Sequence, residues 1–301
     1  MTVCGLGQCS LDYLALVDSY PDIDTKKEVL QWNEQCGGPV ATALVALSRL
    51  GVMCRFCGVT GDDPEGDKIR KSLVDEGIDV SALKRRDNSS SQVAFIAVEK
   101  GSARRTVFWK RPSGEAVRTD EVDGDFLEGC DFLLLDGLMT EVSIHAARVA
   151  EARGIPVMLD AGSARPGLME IAERSDYLVA SREFAAGNGW GLSPEFLREK
   201  KEELGLRILT ITLGSEGSIT LSGDSVDRVP AFKVEAVDTT GAGDVFHGGY
   251  IYGILQGWDV VHTVVFASAL AAMKCREVGG RRGIPGLDEV MAFLEERGHV
   301  I

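Results

Sequence analysis

The chain is short of positive charge: 32 Lys and Arg stand against 46 Asp and Glu, for a net charge of −14. A surface of that sign repels phosphate backbones, which argues against nucleic-acid binding and makes any local cation cluster informative. Long apolar runs are also missing, since none reaches the roughly 18 residues that a membrane span needs. Histidines are few, and His145, His247, His262 and His299 share no metal-ligand spacing. The 7 cysteines are odd in number and scattered through apolar segments, which fits a reducing cytoplasm. Cys54 and Cys57 have C-x-x-C spacing, but no second pair completes a zinc site and the surrounding run is strand-like. The first residues enter a strand-like segment with no basic leader, so no secretory signal is expected and the cytoplasm is the expected compartment. Two nucleotide-binding signatures are lacking as well. The pattern G-x-x-x-x-G-K-[ST] is absent, and Gly5-Leu6-Gly7-Gln8-Cys9-Ser10 supplies only two of the three dinucleotide-fold glycines.

What is present suits one α/β domain. The 301 residues are 45% apolar and 26% charged, ordinary for a globular chain. Val3–Leu6 reads as a first strand, and Gly7 to Ser10 turns out of it toward Asp12. Residues 13–36 are mixed, with a strand-like stretch at 29–32. From Val40 the apolar spacing is helical as far as Gly51. Residues 55–59 read as a buried strand, 61–66 as a turn and 67–76 as a helix. Alternation at Val93, Phe95 and Ala97, then at Arg105, Val107 and Trp109, predicts a hairpin across Lys100-Gly101-Ser102. From residue 131 apolar strands alternate with helices, the rhythm of a mostly parallel sheet covered on both faces. Two long helices are predicted near 242–256 and 259–275, with a last one at 288–297.

The most informative segment is Asp238-Thr239-Thr240-Gly241-Ala242-Gly243-Asp244, which leads directly into the first of those helices. Glycines at 241 and 243 let the backbone bend tightly and bring N–H groups to an anion. A helix starting there adds unpaired N–H groups and the positive end of its dipole. Asp244 then stands in the first turn, where a carboxylate can take a proton from an attacking hydroxyl. The plainer reading is a glycine turn followed by a helix cap. Support comes from sheet geometry, because ligands bind beyond the carboxyl ends of strands in doubly wound sheets. Asp12, Gly37-Gly38, Ser181, Gly214 and Asp244 each follow a strand or open a helix, and all would face that edge. Asp136 and Asp160 end strands on the same edge, as sugar or magnesium-water contacts or as caps of the following loops.

Taken together these segments resemble the ribokinase-like, PfkB-type carbohydrate kinases across nearly the whole chain. The resemblance is carried by Gly7 to Asp12, Gly37-Gly38-Pro39-Val40-Ala41-Thr42, Gly61-Asp62-Asp63, Thr212 to Gly217 and Asp238 to Asp244. The stretch from Lys274 to Pro285, with Val245-Phe246-His247-Gly248, looks most like the sulfofructose kinase branch; ketohexokinases share less of it. The resemblance implies a three-layer α/β fold with helices on both faces of a central sheet and a small β-sheet lid. Lid strands are expected from about 12–36 and 91–111 of a single domain spanning 1–301. It also implies roles. Asp244 would be the base, with Gly241, Ala242 and Gly243 as the anion hole. Asp12, Gly38 and Thr42 would meet the sugar, although Thr42 stands where many relatives carry Asn. Ser181, Thr212, Gly214 and Gly217 would contact ATP, with Mg²⁺. Relatives often carry Asn-x-x-Glu where this chain has Ser181-Arg182-Glu183-Phe184, so Glu183 falls one residue early. K⁺ would be held near Asp238, Thr240 and Gly279, and a lid of open strands points to a homodimer.

Arg104-Arg105 and Lys110-Arg111 bracket one lid strand, and Lys26-Lys27 lies in the other lid segment. On so acidic a chain these cations suggest an anionic sugar such as a phosphate, sulfonate or carboxylate. They also suit edge strands, where charge prevents aggregation. Arg105 shares parity with Val107 and Trp109, which directs it inward if that parity holds. Three activities stay open: a kinase of an anionic ketose (sulfofructose or a sugar phosphate), a neutral-sugar kinase, and a non-catalytic sugar binder on the same fold.

Overall fold

The computed structural model describes residues 1–122 and 125–301. The chain opens with β1 (Thr2–Leu6), β2 (Ser10–Val17) and β3 (Gln31–Gly37), then α1 (Pro39–Arg49), β4 (Met53–Gly61) and α2 (Pro64–Asp75). Three strands follow: β5 (Leu83–Arg86), β6 (Val93–Glu99) and β7 (Arg105–Lys110). The second half alternates β8 (Phe132–Leu135), α3 (Thr140–Ala152), β9 (Val157–Ala161), α4 (Leu168–Ala172) and β10 (Tyr177–Ser181). Next come α5 (Arg182–Gly187), α6 (Pro194–Glu203), β11 (Ile208–Thr212), β12 (Ser218–Ser222) and β13 (Ser225–Val229). The helices α7 (Ala242–Leu255), α8 (Val260–Lys274) and α9 (Leu287–Glu295) close the order.

Local chemistry starts the helices. Pro64 and Pro194 occupy first-turn positions of α2 and α6, where a missing N–H costs nothing. Asp63, Ser193 and Asp259 cap α2, α6 and α8 by accepting from the N–H of Gly66, Phe196 and His262.

Nine strands build the main sheet in the order β13-β12-β11-β10-β9-β8-β1-β4-β5. Neighbours from β11 to β5 run parallel, whereas β12 pairs antiparallel with both β11 and β13. Period-two alternation then feeds two cores. Val3, Phe132 and Leu134 pack with α1, α7 and α8, whereas Cys4, Leu6, Leu133 and Leu135 pack with α3 to α6 on the opposite face. This is the expected three-layer arrangement.

A second sheet has the order β3-β2-β6-β7, and both expected lid segments supply its strands. Its inner face buries Leu14, Ile96 and Val98 against Val278. Its outer face carries a row of rings, Tyr13, Trp32, Phe95 and Phe108, with successive centroids 6.2, 5.8 and 6.3 Å apart. Three expectations need correcting. A full strand, β2, stands where a turn and a mixed segment were expected, so Asp12 lies inside a strand. The short edge strand β5 was not expected, and α2 begins at Pro64, within the expected turn.

Candidate active site

The loop before α7 is shaped by its glycines. Gly241 has φ +74°, and a Cβ there would lie 2.8 Å from the carbonyl oxygen of Gly280. No other residue type fits without moving backbone. Gly243 differs: a Cβ there would meet nothing within 4 Å. It lies in the first turn of α7 with Ala242 and Asp244, where N–H groups have no carbonyl partner within the helix. The loop is fixed from below by the fully buried Asp238. Its Oδ1 accepts from the N–H and hydroxyl of Thr240 at 2.8 and 2.7 Å, and its Oδ2 accepts from the N–H of Gly279 at 2.7 Å. Lys274, equally buried, donates from Nζ to the carbonyls of Asp238 and Thr240.

Asp244 stands in that first turn with its acidity perturbed. Burial and the carboxylate of Asp160 push its pKa up to about 6, against the opposing charges of His247, Arg105 and Arg281. A carboxyl poised this close to neutrality is suited to accept a proton. His247, one helical turn on, holds Gly243 O at 2.6 Å through Nδ1 and Val179 O at 3.1 Å through Nε2. Its Nε2 is also 3.5 Å from Asp160. One imidazole therefore ties α7 to the ends of β9 and β10. From the small sheet, Arg105 donates to the hydroxyl of Thr239 at 3.0 Å, so its inward direction agrees with its strand parity.

The opposite wall is built around Gly37-Gly38. A Cβ on Gly37 would collide with the Asp12 carboxylate at 2.0 Å, and one on Gly38, at φ +99°, with the Gln8 carbonyl at 2.2 Å. Asp12 accepts from Ser10 Oγ at 2.6 Å; burial raises its pKa, and Ser10 and Arg281 oppose the rise. Arg281 is buried between these parts. It donates to Gly37 O at 2.9 Å and to the hydroxyls of Thr42 and Ser72, both at 3.3 Å. Thr42 is buried and its hydroxyl accepts from Arg281, which ties its motif position to that guanidinium. The Arg281 guanidinium acts electrostatically on the carboxylates of both Asp12 and Asp244, favouring their charged forms.

Along the same edge β10 and β11 end in register at Ser181 and Thr212. The Ser181 hydroxyl donates to Gly162 O at 2.7 Å and accepts from Phe184 N, so it serves as the cap of α5. Thr212 donates to Ala180 O at 3.3 Å. Gly214 and Gly217 have φ +63° and +96°, and a Cβ on Gly217 would sit 2.0 Å from Val229 O. The sharp turn after β11 therefore depends on both. Asp136 accepts from the N–H groups of Gln8 and Leu138, each at 2.9 Å, and burial pushes its pKa up to about 7. It holds the end of β1 in place. A cleft of about 360 Å³ opens beside Gly7, Gln8 and Cys9, with Arg111 on its wall.

The profile of the pfkB family carbohydrate kinases matches residues 2–286 of this chain. The chain belongs to that family. Among its relatives, the ATP-dependent ribose-1-phosphate kinase of Halopiger xanaduensis is 30% identical over 98% of both chains. The ribokinase of Bacillus subtilis is 26% identical over 97% of this chain and 99% of its own. The crystal structure of Thermotoga maritima ribokinase superposes with a TM-score of 0.81 at 26% identity, covering 98% and 99% of the two chains. The chain is accordingly an ATP-dependent sugar kinase, a phosphotransferase with an alcohol as acceptor.

Sequence reasoning gave no role to two buried charges of this kinase, Lys274 and Arg281. Arg281 read as part of a glycine turn, and Lys274 was named only as the start of the stretch running to Pro285. Asp160 was weighed as a sugar or magnesium-water contact or a loop cap, and it stands 3.5 Å from His247. Each matters because tertiary packing buries its charge beside the loop. The one available signal was the density of charge in Lys274 to Arg282, inside otherwise apolar surroundings.

Proposed function

We propose that this kinase phosphorylates an anionic sugar, with Asp244 as the general base. The observation that carries the reading is Arg105, a guanidinium delivered by β7 to the anion loop and close enough to Asp244 to bias its charge. Arg111, from the end of the same hairpin, lines the cleft beside Gly7 and Gln8. On a chain of net charge −14, two guanidinium groups set toward the loop and the cleft favour an anionic ligand over a neutral one. The relative named for ribose 1-phosphate, itself anionic, supports the same class.

In this reading Asp12 accepts hydroxyl protons of the sugar, and the backbone at Gly38 packs against its ring. Asp244 takes the proton of the reacting hydroxyl. The N–H groups of the 241–244 turn receive the transferred group, where a pre-aligned donor is worth roughly 3–4 kcal/mol of barrier. Ser181, Thr212, Gly214 and Gly217 form the nucleotide edge. Bound ATP with Mg²⁺ supplies the phosphoryl group and the divalent charge that screens it. The small sheet acts as a lid of one kinase domain. Its exposed ring face, with Trp32 at 54% and Phe108 at 61%, suits pairing with a second copy of the chain. Seven free, buried cysteines support a reducing compartment, the cytoplasm.

The test is a panel of neutral, phosphorylated and sulfonated sugars in an ADP-coupled assay, with Arg105→Ala alongside. We expect kcat/KM to favour an anionic sugar, and Arg105→Ala to narrow that preference. A neutral sugar used best, with Arg105→Ala unchanged in preference, refutes the reading.

A further inference from the structure

The expected monovalent-cation site does not fit an ion, because this chain has put its own cation there. Asp238, Thr240 and Gly279 do come together. Both oxygens of Asp238, however, already accept from Thr240 and Gly279. The carbonyls of Asp238 and Thr240, the neutral oxygens an ion would need, are taken by the ammonium of Lys274. Lys274 and Asp238 are both 0% exposed, so the two charges are sealed together under the anion loop.

The position of that ammonium has a consequence for the loop. Thr240 O stands four residues before Asp244, where a continuing helix would draw the Asp244 N–H onto it. Lys274 engages that oxygen instead, and of the first-turn N–H groups Ala242 donates to Thr239 O at 3.2 Å, leaving those of Gly243 and Asp244 for an anion. Its charge adds to the positive end of α7 just behind the turn. Gln35 of the lid strand β3 closes the assembly, donating to Val278 O at 3.1 Å. A buried lysine is costly unless paired. Burial lowers its pKa, with the Asp238 carboxylate opposing that fall.

We propose that the Lys274 ammonium is a built-in substitute for a monovalent activator, which frees this kinase from dependence on K⁺ or Na⁺ and makes Lys274 a positioning residue for the anion loop. An ammonium and K⁺ carry the same charge and are close in size, so one can serve for the other on the same carbonyl oxygens. The proposal rests on the 241–244 turn being the anion hole, but part of its test does not.

The full chain is exchanged into buffers free of alkali metals and studied with and without saturating KCl. For wild type, the melting temperature without sugar or nucleotide is expected to be the same in KCl and in tetramethylammonium chloride. Turnover should change by less than about twofold, because no ion site exists to be filled. Lys274→Ala opens the space. It should lose at least about a hundredfold in kcat, the scale of a misaligned donor, and regain about tenfold or more with K⁺ or methylammonium. Its melting temperature should rise with K⁺. Lys274→Met fills the space without charge and should respond to neither. A wild-type protein that is stabilised and activated by K⁺ overturns the proposal, even if no variant folds. So does a folded Lys274→Ala that ignores both K⁺ and methylammonium. The melting arm needs no turnover, so its failure is distinct from failure of the kinase reading.

Discussion

Adding one methyl group at each glycine of the 241–243 turn separates folding from catalysis. At Gly241 an alanine must adopt φ +74°, and its Cβ meets the backbone of Gly280 at 2.8 and 2.9 Å. The left-handed conformation alone costs about 1–2 kcal/mol for an L-residue, and backbone cannot rotate away as a side chain would. Gly241→Ala should therefore lose roughly 2–4 kcal/mol of stability, with the loop displaced and turnover falling with it. At Gly243 the arithmetic reverses. The position is helical and its Cβ meets nothing within 4 Å. Alanine there should leave stability unchanged or raise it by up to about 1 kcal/mol, the usual glycine-to-alanine gain in a helix. In the proposed reading that methyl crowds the anion held by this turn, so turnover should fall about a hundredfold or more. Urea melts paired with ADP-coupled rates on both variants give the answer. A Gly243→Ala enzyme with normal turnover, or a Gly241→Ala protein as stable as wild type, refutes the reasoning.

Other consequences can be checked separately. Burial raises the Asp244 pKa from 3.8 to about 6, so the native state favours its protonated form. The stability this contributes is complete below the unfolded value and is lost as pH rises through about 6. Activity has the opposite sign: kcat should climb through that region and level off above it, and a flat profile from pH 5 upward counts against Asp244 as base. Asp160→Asn removes the neighbouring negative charge and should move that limb to lower pH. Arg281→Met strands the Gly37 carbonyl and two hydroxyls and removes a charge that acts on Asp12 and Asp244. It should cost roughly 2–4 kcal/mol in urea melts and raise the sugar KM, with Arg281→Lys intermediate; an unchanged KM would contradict a role for Arg281 at the sugar wall.

The glycine loop was legible because its chemistry is local. Gly241-Ala242-Gly243-Asp244 carries its bend, its helix start and its carboxylate within four residues. The parallel sheet was legible too, since β8 to β11 are short apolar runs between amphipathic helices. β2 was not, because it follows β1 after only three residues and interrupts its apolar run with Asp12. β5 was hidden by composition: Leu83-Lys84-Arg85-Arg86 is mostly charged, as edge strands often are. The buried cations were hidden for another reason. Nothing local distinguishes Lys274 or Arg281 from a surface residue. Only the meeting of α8, the 278–282 turn and the Gly37 loop removes them from water.

The most direct measurement replaces the carboxylate of Asp244 by an amide of the same shape. For Asp244→Asn, calorimetry should show ATP bound about as tightly as by wild type. ADP formation with an accepted sugar should fall by about 10²–10⁴-fold near neutral pH. Turnover close to wild type in that variant would contradict the account at its centre.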